Sequence, residues 1–509
     1  MRPLAAVSLA LLAVLAGCSV GFTGPGVQTA TETPTPGGAP TDTPASTPAD
    51  EPTPTPAAVV SPPDPETDVR GWEQGYWANE TLQLTREDGL NETERQAVVA
   101  RAMARVELVR ELEFTEPVPV EVISRAEYRN SSFSQSGNAT TTFRRFDNAK
   151  FEALFLIGEP TDSLDVQNSN RGSSVLGFYS PRNDTIVIVA EGENPDLPGE
   201  KTLGHELVHA LQDQHYNLSS YRAETRMQYN AQNGLIEGDA NLVQYKYEER
   251  CALDWDCLPA PAGGGGGGGS FHLGVYILNY FPYSDGPGFV RYYQRQGGWE
   301  RVNELYGDVP AVDSQIIYPE RYGSGAPPAV EVTDRNTNGW ERVRPEARTD
   351  GSLRPDYASL GQSGLTAMFA YTLYDDQNQS RVVSPQAFLN LEGNQVNRTD
   401  PFNYDLAYTN GYANDRLHVY TDGEETAYVW KLAWTSEAEA REFAEGYDRL
   451  LAHYGGETVS TDGETATTTV YRIDDGPFAD AFRVTVEGDT VTIVNAPTTE
   501  SLDDVGGSA

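Results

Sequence analysis

The first half of the chain mixes segments whose apolar residues recur every three or four positions with segments in which they alternate. Residues 92–112 have helical spacing, and Asn91 is a candidate for the N-cap of that helix. Residues 117–123 alternate like a strand. Two further apolar runs, 175–179 and 185–189, flank the sequence Ser-Pro-Arg-Asn-Asp and are typical of a β-hairpin.

After about residue 349 the pattern changes to short alternating runs and amphipathic helices. We predict helices at 363–373 and 437–453 and strands at 417–420, 427–433, 468–472, 482–486 and 491–494. The sequence therefore predicts an α+β protein. We expect a first domain over 67–349 with a Gly-rich loop at 259–270, a C-terminal α+β domain over 350–497 and a disordered tail over 498–509.

The N-terminus has the features of an export signal. Arg2 precedes the apolar run Leu4–Leu15, which is too short to span a bilayer. The run ends in Leu-Ala-Gly-Cys, so we predict a signal peptide over 1–17 and a lipid on Cys18. Residues 18–66 are rich in Thr and Pro and are expected to form a disordered stalk. The mature chain would then lie on the extracellular face of the cell membrane, attached by its lipid alone.

The charge balance indicates the environment of the protein. There are 75 acidic and 36 basic residues, a formal net charge of −39, which disfavours binding to nucleic acid or to an anionic membrane surface. Salt near 1 M shortens the Debye length to about 3 Å and screens such self-repulsion, so the composition is typical of a halophilic extracellular protein. Asn-x-Ser/Thr sequons suit an exported glycoprotein; they begin at Asn79, Asn91, Asn130, Asn138, Asn183, Asn217, Asn378 and Asn397.

Two cysteines remain if Cys18 carries a lipid. Cys251 and Cys257 lie close together in the sequence, and an oxidising exterior favours a disulfide between them. A zinc knuckle would need further soft ligands nearby. The sequence therefore predicts a disulfide.

The chemistry is concentrated in His205-Glu206-Leu-Val-His209, on the helix that begins near 195–200. On a helix, positions i and i+4 lie one turn apart on one face, so both imidazoles can bind one Zn²⁺, and Glu206 stands beside the open position as general base. Because the chain has only 6 His in 509 residues, a chance match is expected about 0.005 times.

Two residues compete as the third zinc ligand. His215 matches the spacing of metzincins, but the Gly that turns their chain out of the helix is Gln212 here. If the helix continues, His215 faces away from the metal. Glu237 lies in a second helical stretch that runs to about residue 249, and a Glu from such a helix is the gluzincin arrangement. We favour Glu237. Asp213, one turn after His209, is a candidate to orient a ligand imidazole.

The zinc motif, Glu-Gly-Asp-Ala at 237–240 and the segments 282–290 and 314–322 resemble a family of secreted bacterial and haloarchaeal zinc metallopeptidases that are surface lipoproteins. The resemblance covers roughly residues 170–325. It implies a zincin-like catalytic domain with an active-site helix, a second ligand helix and a small mixed sheet. Candidate oxyanion donors in the last of these segments are Tyr318, Arg321 and Tyr322.

Together these features predict a cell-surface zinc metallohydrolase, and the resemblance makes it a peptidase. A zinc-bound water would attack the carbonyl, with Glu206 as general base. The partner would be a peptide or protein substrate, which strand 185–189 could bind by strand addition if it borders the cleft. The alternative is a non-catalytic surface or envelope binding protein with a structural zinc site.

Overall fold

A computed structural model describes residues 62–84, 89–130, 139–172, 175, 177–190, 197–260, 271–348, 351–375, 377, 381–462 and 467–507. Its helices are α1 (Glu92–Arg110), α2 (Arg125–Asn130), α3 (Thr141–Ala153), α4 (Ser163–Gly172), α5 (Glu200–Tyr216), α6 (Arg226–Leu253), α7 (Leu273–Ser284), α8 (Gly286–Leu305), α9 (Ser314–Ile317), α10 (Gly361–Tyr371), α11 (Pro385–Phe388), α12 (Glu437–His453) and α13 (Ser501–Gly506). Its strands are β1 (Trp72–Glu73), β2 (Tyr76–Trp77), β3 (Val120–Ile123), β4 (Gly177–Ser180), β5 (Thr185–Val189), β6 (Glu341–Arg342), β7 (Leu391–Glu392), β8 (Gln395–Val396), β9 (Tyr412–Thr421), β10 (Thr426–Trp434), β11 (Glu457–Asp462), β12 (Thr467–Arg472), β13 (Ala481–Glu487) and β14 (Thr490–Ala496). The chain is a mixture of helix and sheet, consistent with the predicted α+β class.

The predicted N-cap of α1 is confirmed. The Asn91 side chain accepts the N–H of Glu94 at 3.0 Å, and the Glu94 carboxylate accepts the N–H of Asn91 at 2.9 Å, which is a capping box. The helix ends at Glu111, whose φ of 58° is left-handed. Most of α1 is buried, so it serves as a central support on which α5 and α6 pack.

A small mixed sheet lies beside α5. Its strand order is β3-β5-β4, with β3 parallel and β4 antiparallel to β5. The predicted hairpin of β4 and β5 is present. Because β5 is paired on both sides, it cannot take an added strand, and the expectation that 185–189 would do so is wrong. The free edge of this sheet nearest α5 is β4.

The C-terminal part forms a second, larger antiparallel sheet. Within the described residues its order is β11-β12-β13-β14-β10-β9-β6, and the predicted helix 437–453 is present as α12, packed on β10, β13 and β14. This part is not separate from the rest. Strand β6 precedes residue 349 but pairs with β9, and α10 follows it but packs on α6 and α7.

The expected disordered tail is corrected by the structure. Residues 498–507 are described, and α13 buries Leu502 and Val505 against the large sheet. Arg483 of β13 donates to the carbonyl of Gly507 at 2.6 Å. Leu502 and Val505 are three positions apart, which is a helical spacing, but they stand in an otherwise polar and acidic sequence.

The expected export and anchoring features lie outside the described residues: the signal peptide 1–17, Cys18 and the stalk as far as residue 61. The Gly-rich loop lies outside them over 261–270. No helix in the described part of the chain is long and apolar enough to cross a membrane. Cys251 and Cys257 are placed as a disulfide, with Cα atoms 5.5 Å apart, as predicted.

Two buried carboxyl groups meet where the β1–β2 hairpin packs on α1. Glu107 accepts the N–H groups of Gly71 at 2.8 Å and Phe114 at 2.9 Å. Glu73 lies against it and is only 4% exposed. Burial, followed by repulsion from the Glu107 carboxylate, raises the pKa of Glu73 to about 9.

This pair predicts a pH dependence of stability. The folded protein keeps a proton on Glu73 that the unfolded chain releases near its ordinary pKa of 4.5. The stabilisation is therefore fully present below that pH and is lost as the pH rises through about 9. We expect Glu73→Gln to raise the free energy of unfolding at pH 8 and to flatten its decline between pH 5 and 9, measured by urea titration at each pH. The exposed Glu66→Gln is the control, and parallel pH profiles for all three proteins would contradict the prediction.

Candidate metal centre

Helix α5 presents His205, Glu206 and His209 toward the small sheet. One helical turn separates the two imidazoles, whose rings meet edge to face with centroids 4.7 Å apart. Their Nε2 atoms are 3.1 Å apart. Both nitrogens therefore point to the same place, as the i, i+4 spacing predicts.

The second helix, α6, brings Glu237 to the same place. Its Oε2 lies 3.3 Å from Nε2 of His205 and 3.3 Å from Nε2 of His209. Next to Glu237, Gly238 lets α6 and α8 pack closely, because a Cβ there would stand 2.4 Å from the backbone of Gly286 in α8. The adjoining helices thus pack too closely for any side chain beside the acid.

His215 does not join the group. Helix α5 continues to Tyr216, so His215 turns away and its Nε2 lies 2.8 Å from the carbonyl oxygen of Glu113. The conditional expectation from the sequence, that an unbroken helix would point His215 away from the metal, matches this geometry. Of the two candidates for third ligand, the structure brings only Glu237 to the histidines.

The spacing of the three atoms fits a zinc ion. Ligand atoms at about 2.0–2.1 Å from a tetrahedral zinc lie about 3.3 Å from one another, and the observed separations are 3.1, 3.3 and 3.3 Å. Oε2 of Glu237 is also buried without a hydrogen-bond partner among the described residues. Two imidazoles and a carboxylate are a donor set that suits Zn²⁺.

The close approach of the two imidazoles and the carboxylate shifts the pKa values of His209 and Glu237. Burial alone would lower the pKa of His209, but the neighbouring Glu237 carboxylate outweighs it and raises this pKa to about 9. Burial likewise opposes ionisation of Glu237, yet His209 and His205 hold the pKa of its carboxyl well below the usual range. A cation at this point is therefore electrostatically favoured.

Glu206 stands beside the group and is buried. Its Oε2 accepts the backbone N–H of Tyr179 in β4 at 2.9 Å. The hydroxyl of Tyr179 also donates to Asp213 at 2.9 Å. Tyr179 thus joins β4 to α5 at two points, the Glu206 carboxylate and the Asp213 carboxylate near the end of the helix.

Asp213 does not orient an imidazole, contrary to the expectation. Besides Tyr179, its carboxylate accepts the N–H of Leu218 at 2.6 Å, which fixes the chain where α5 ends. The residue in contact with a candidate ligand imidazole is Gln212, whose Oε1 lies 2.9 Å from Nδ1 of His209. In the sequence, Gln212 stood out only because metzincins have a Gly at the corresponding position.

The expected oxyanion donors lie elsewhere. Tyr318 donates to Asp405 at 2.5 Å, and the guanidinium of Arg321 stacks on the Tyr318 ring at 3.7 Å. The hydroxyl of Tyr322 donates to the carbonyl of Asp308. None of the three lines the cleft over the histidines, so their assignment to the site is wrong.

The cleft over the candidate ligands has a volume of about 290 Å³. Four aromatic residues line it together with the candidate ligands; the full lining is Tyr128, Val175, Gly177, Phe178, Tyr179, His205, Glu206, His209, Glu237 and Tyr283. The ring of Tyr283 lies nearly parallel to that of His205, with centroids 6.5 Å apart. Sequence reasoning missed Tyr128 and Tyr283, although Tyr283 belongs to the segment 282–290 that resembles the metallopeptidases.

The C-terminal part matches a known family. A family model described as a domain of unknown function (DUF8575) matches residues 347–506. No curated protein and no solved structure matches the chain. The matched region begins near the predicted boundary at 350 and extends through α13, so it includes the helix that replaces the expected tail. It contains none of His205, Glu206, His209 and Glu237, so the candidate site must be interpreted from its own geometry.

Proposed function

We propose that the chain is a zinc-dependent metallohydrolase with a zincin-like catalytic region of the gluzincin type, and that it cleaves peptides. The observation that carries the proposal is the convergence of Nε2 of His205, Nε2 of His209 and Oε2 of Glu237 within 3.3 Å of one another beside Glu206. These three residues would hold the ion, and the cleft leaves its remaining side open to a substrate. A structural site would instead need a fourth protein ligand.

Bound zinc would lower the pKa of a water molecule and polarise the substrate carbonyl. Glu206 takes the proton of the attacking water and returns it to the leaving nitrogen. The N–H of Tyr179 donates to Oε2 of the Glu206 carboxylate and holds this group beside the candidate ligands. Tyr283 lines the cleft beside His205 and takes the role expected of Tyr318, that of donor to the developing oxyanion.

Strand β4 is suited to hold an extended peptide. Ile186 of β5 donates its N–H to Pro119 on the β3 side, so its partner Tyr179 and, two residues away, Gly177 direct their backbone polar groups toward the free edge. The N–H of Tyr179 is already bound to Glu206. The backbone groups of Gly177 and the carbonyl of Tyr179 face this free edge, where a substrate could add as a strand, which supports a peptide over a compact small molecule.

The proposed location is the outer face of the cell membrane. The signal-like sequence and Cys18 support export and lipid attachment, and the disulfide-compatible pair Cys251 and Cys257 suits an oxidising compartment. The substrate would then be an extracellular peptide or protein.

The metal content of the purified chain tests the proposal. We expect elemental mass spectrometry of the dialysed protein to find one zinc ion per chain. The variants His205→Ala and Glu237→Ala should lose that zinc. His215→Ala is the matched control and should keep its zinc, because the imidazole lies against Glu113. Zinc binding without hydrolysis of a peptide library would favour the structural-zinc alternative, and an unaltered zinc content in Glu237→Ala would exclude the ligand set.

A further inference from the structure

We propose that Gln212 is a positioning residue that fixes the protonation of His209 and joins the two helices that carry the metal ligands. This inference rests on the proposed zinc site. Gln212 is 2% exposed and belongs to α5. Its Oε1 lies 2.9 Å from Nδ1 of His209, and its Nε2 lies 2.9 Å from the carbonyl oxygen of Ile236 in α6.

The orientation of the Gln212 amide follows from its second contact. A backbone carbonyl only accepts hydrogen bonds, so the group facing Ile236 must be the NH₂ of Gln212. The amide oxygen then faces His209, and an oxygen without hydrogen can only accept. Nδ1 of His209 must therefore carry a proton and donate it to Gln212.

This bond decides which nitrogen of His209 can bind a metal. In a neutral imidazole with Nδ1 protonated, Nε2 carries the free lone pair. Nε2 is the atom that lies near His205 and Glu237. Gln212 thus keeps His209 in the tautomer that zinc requires and fixes the orientation of the ring.

The other contact sets the position of the third ligand. Ile236 precedes Glu237 directly, so the bond from Gln212 fixes the backbone of α6 next to the carboxylate. One side chain thereby bridges a ligand on α5 and a ligand on α6. His205 has no equivalent support, since its Nδ1 is buried without a hydrogen-bond partner in the part of the chain that the structure describes.

A carboxamide suits this place better than a carboxylate. A carboxylate at 212 would still accept from His209, but it could not donate to Ile236. The two contacts can therefore be separated by substitution.

The test compares zinc affinities, measured by competition with a chelator of known affinity. Gln212→Met keeps the volume and removes both contacts, and we expect it to weaken zinc binding about 10–100-fold. Gln212→Glu keeps the acceptor for His209 alone, so its affinity should fall between those of the wild type and Gln212→Met. The matched control is Gln214→Met: Gln214 also bridges through its amide, but to Thr115 and Glu116, and its loss should leave zinc affinity within twofold.

Each outcome is decisive. Equal affinities in Gln212→Met and the wild type would overturn the positioning role while leaving the proposed zinc site intact. An affinity of Gln212→Glu at or below that of Gln212→Met would exclude control of the tautomer. Failure of the wild type to bind zinc would overturn both proposals. The urea midpoint of each metal-free variant is measured in parallel, because a role confined to stability would lower this midpoint for Gln212→Met without lowering the zinc affinity of the folded protein.

Discussion

Glu206→Gln is expected to abolish most hydrolysis while leaving zinc in place. A carboxamide cannot take a proton from water, and general-base catalysis of this kind contributes about 10²–10⁴-fold to a rate. Its oxygen can still accept the N–H of Tyr179, so β4 should keep its position against α5. We therefore expect kcat to fall at least about 100-fold, with zinc content and thermal midpoint unchanged.

The control for this variant is Glu249→Gln, the same change at an exposed position of α6. Its kcat and KM should equal those of the wild type. A Glu206→Gln protein with wild-type turnover would show that another group moves the proton. A Glu206→Gln protein without zinc would show that Glu206 is itself a ligand, which would require a different assignment of the four residues.

The part of the site that the sequence could predict is the part that lies on one helix. Helical periodicity alone places His205, Glu206 and His209 together. Glu237 is a weaker inference, because it required the assumption that α6 packs on α5. The structure brings Glu237 to the histidines through the packing of α6 on α5, two helices that are separate in the sequence.

The residues that sequence reasoning misplaced depend on contacts between distant elements. Tyr318, Arg321 and Tyr322 stand in a segment that resembles the metallopeptidases. Tyr318 and Tyr322 instead contact Asp405 and Asp308, and Arg321 stacks on Tyr318. The expectation of strand addition concerned residues 185–189, which form the central strand β5, and the free edge belongs to β4. A central strand is strongly apolar because both of its neighbours are strands, whereas the strand at the edge carries the weaker pattern.

The elements of the fold were predicted better than their grouping. Helix α12 has the predicted bounds because its cap and its apolar spacing are local, and Ser436 accepts the N–H of Glu439. The boundary near 349 depends on tertiary pairing instead. Strand β6 has two residues and no alternating pattern, so its place beside β9 could not be read from the sequence.

The buried carboxylate of Glu200 supports both helices that carry the candidate metal ligands. It is the first residue of α5 and is fully buried, and it pairs with Arg101 at 2.8 Å and Arg105 at 2.5 Å, both from α1. It also accepts the hydroxyl of Tyr247 in α6 and the N–H of Leu258, each at 2.8 Å. One side chain thus connects α1, both ligand helices and the segment that follows the cysteine pair.

We expect Glu200→Gln to lower the free energy of unfolding by about 3–5 kcal/mol, the cost of leaving a buried charge without its partner. Two guanidinium groups would lose their counter-charge, and the new NH₂ would face donors. Salt should not restore stability, because buried pairs are screened little. Since the chain carries a net charge of −39, removal of one negative charge reduces overall repulsion, so a loss of stability must come from the local pairs.

The matched control is Glu248→Gln on α6, which removes half-exposed pairs with Lys201 and Arg398. Exposed pairs contribute about 0–1 kcal/mol, so the urea midpoint of this variant should stay near that of the wild type. Equal losses in the two variants would contradict the role assigned to Glu200. If Glu200→Gln loses more stability than Glu248→Gln, it should also bind zinc more weakly than the wild type. His205 lies five residues further along α5, so its position depends on the same ion pairs at the start of the helix.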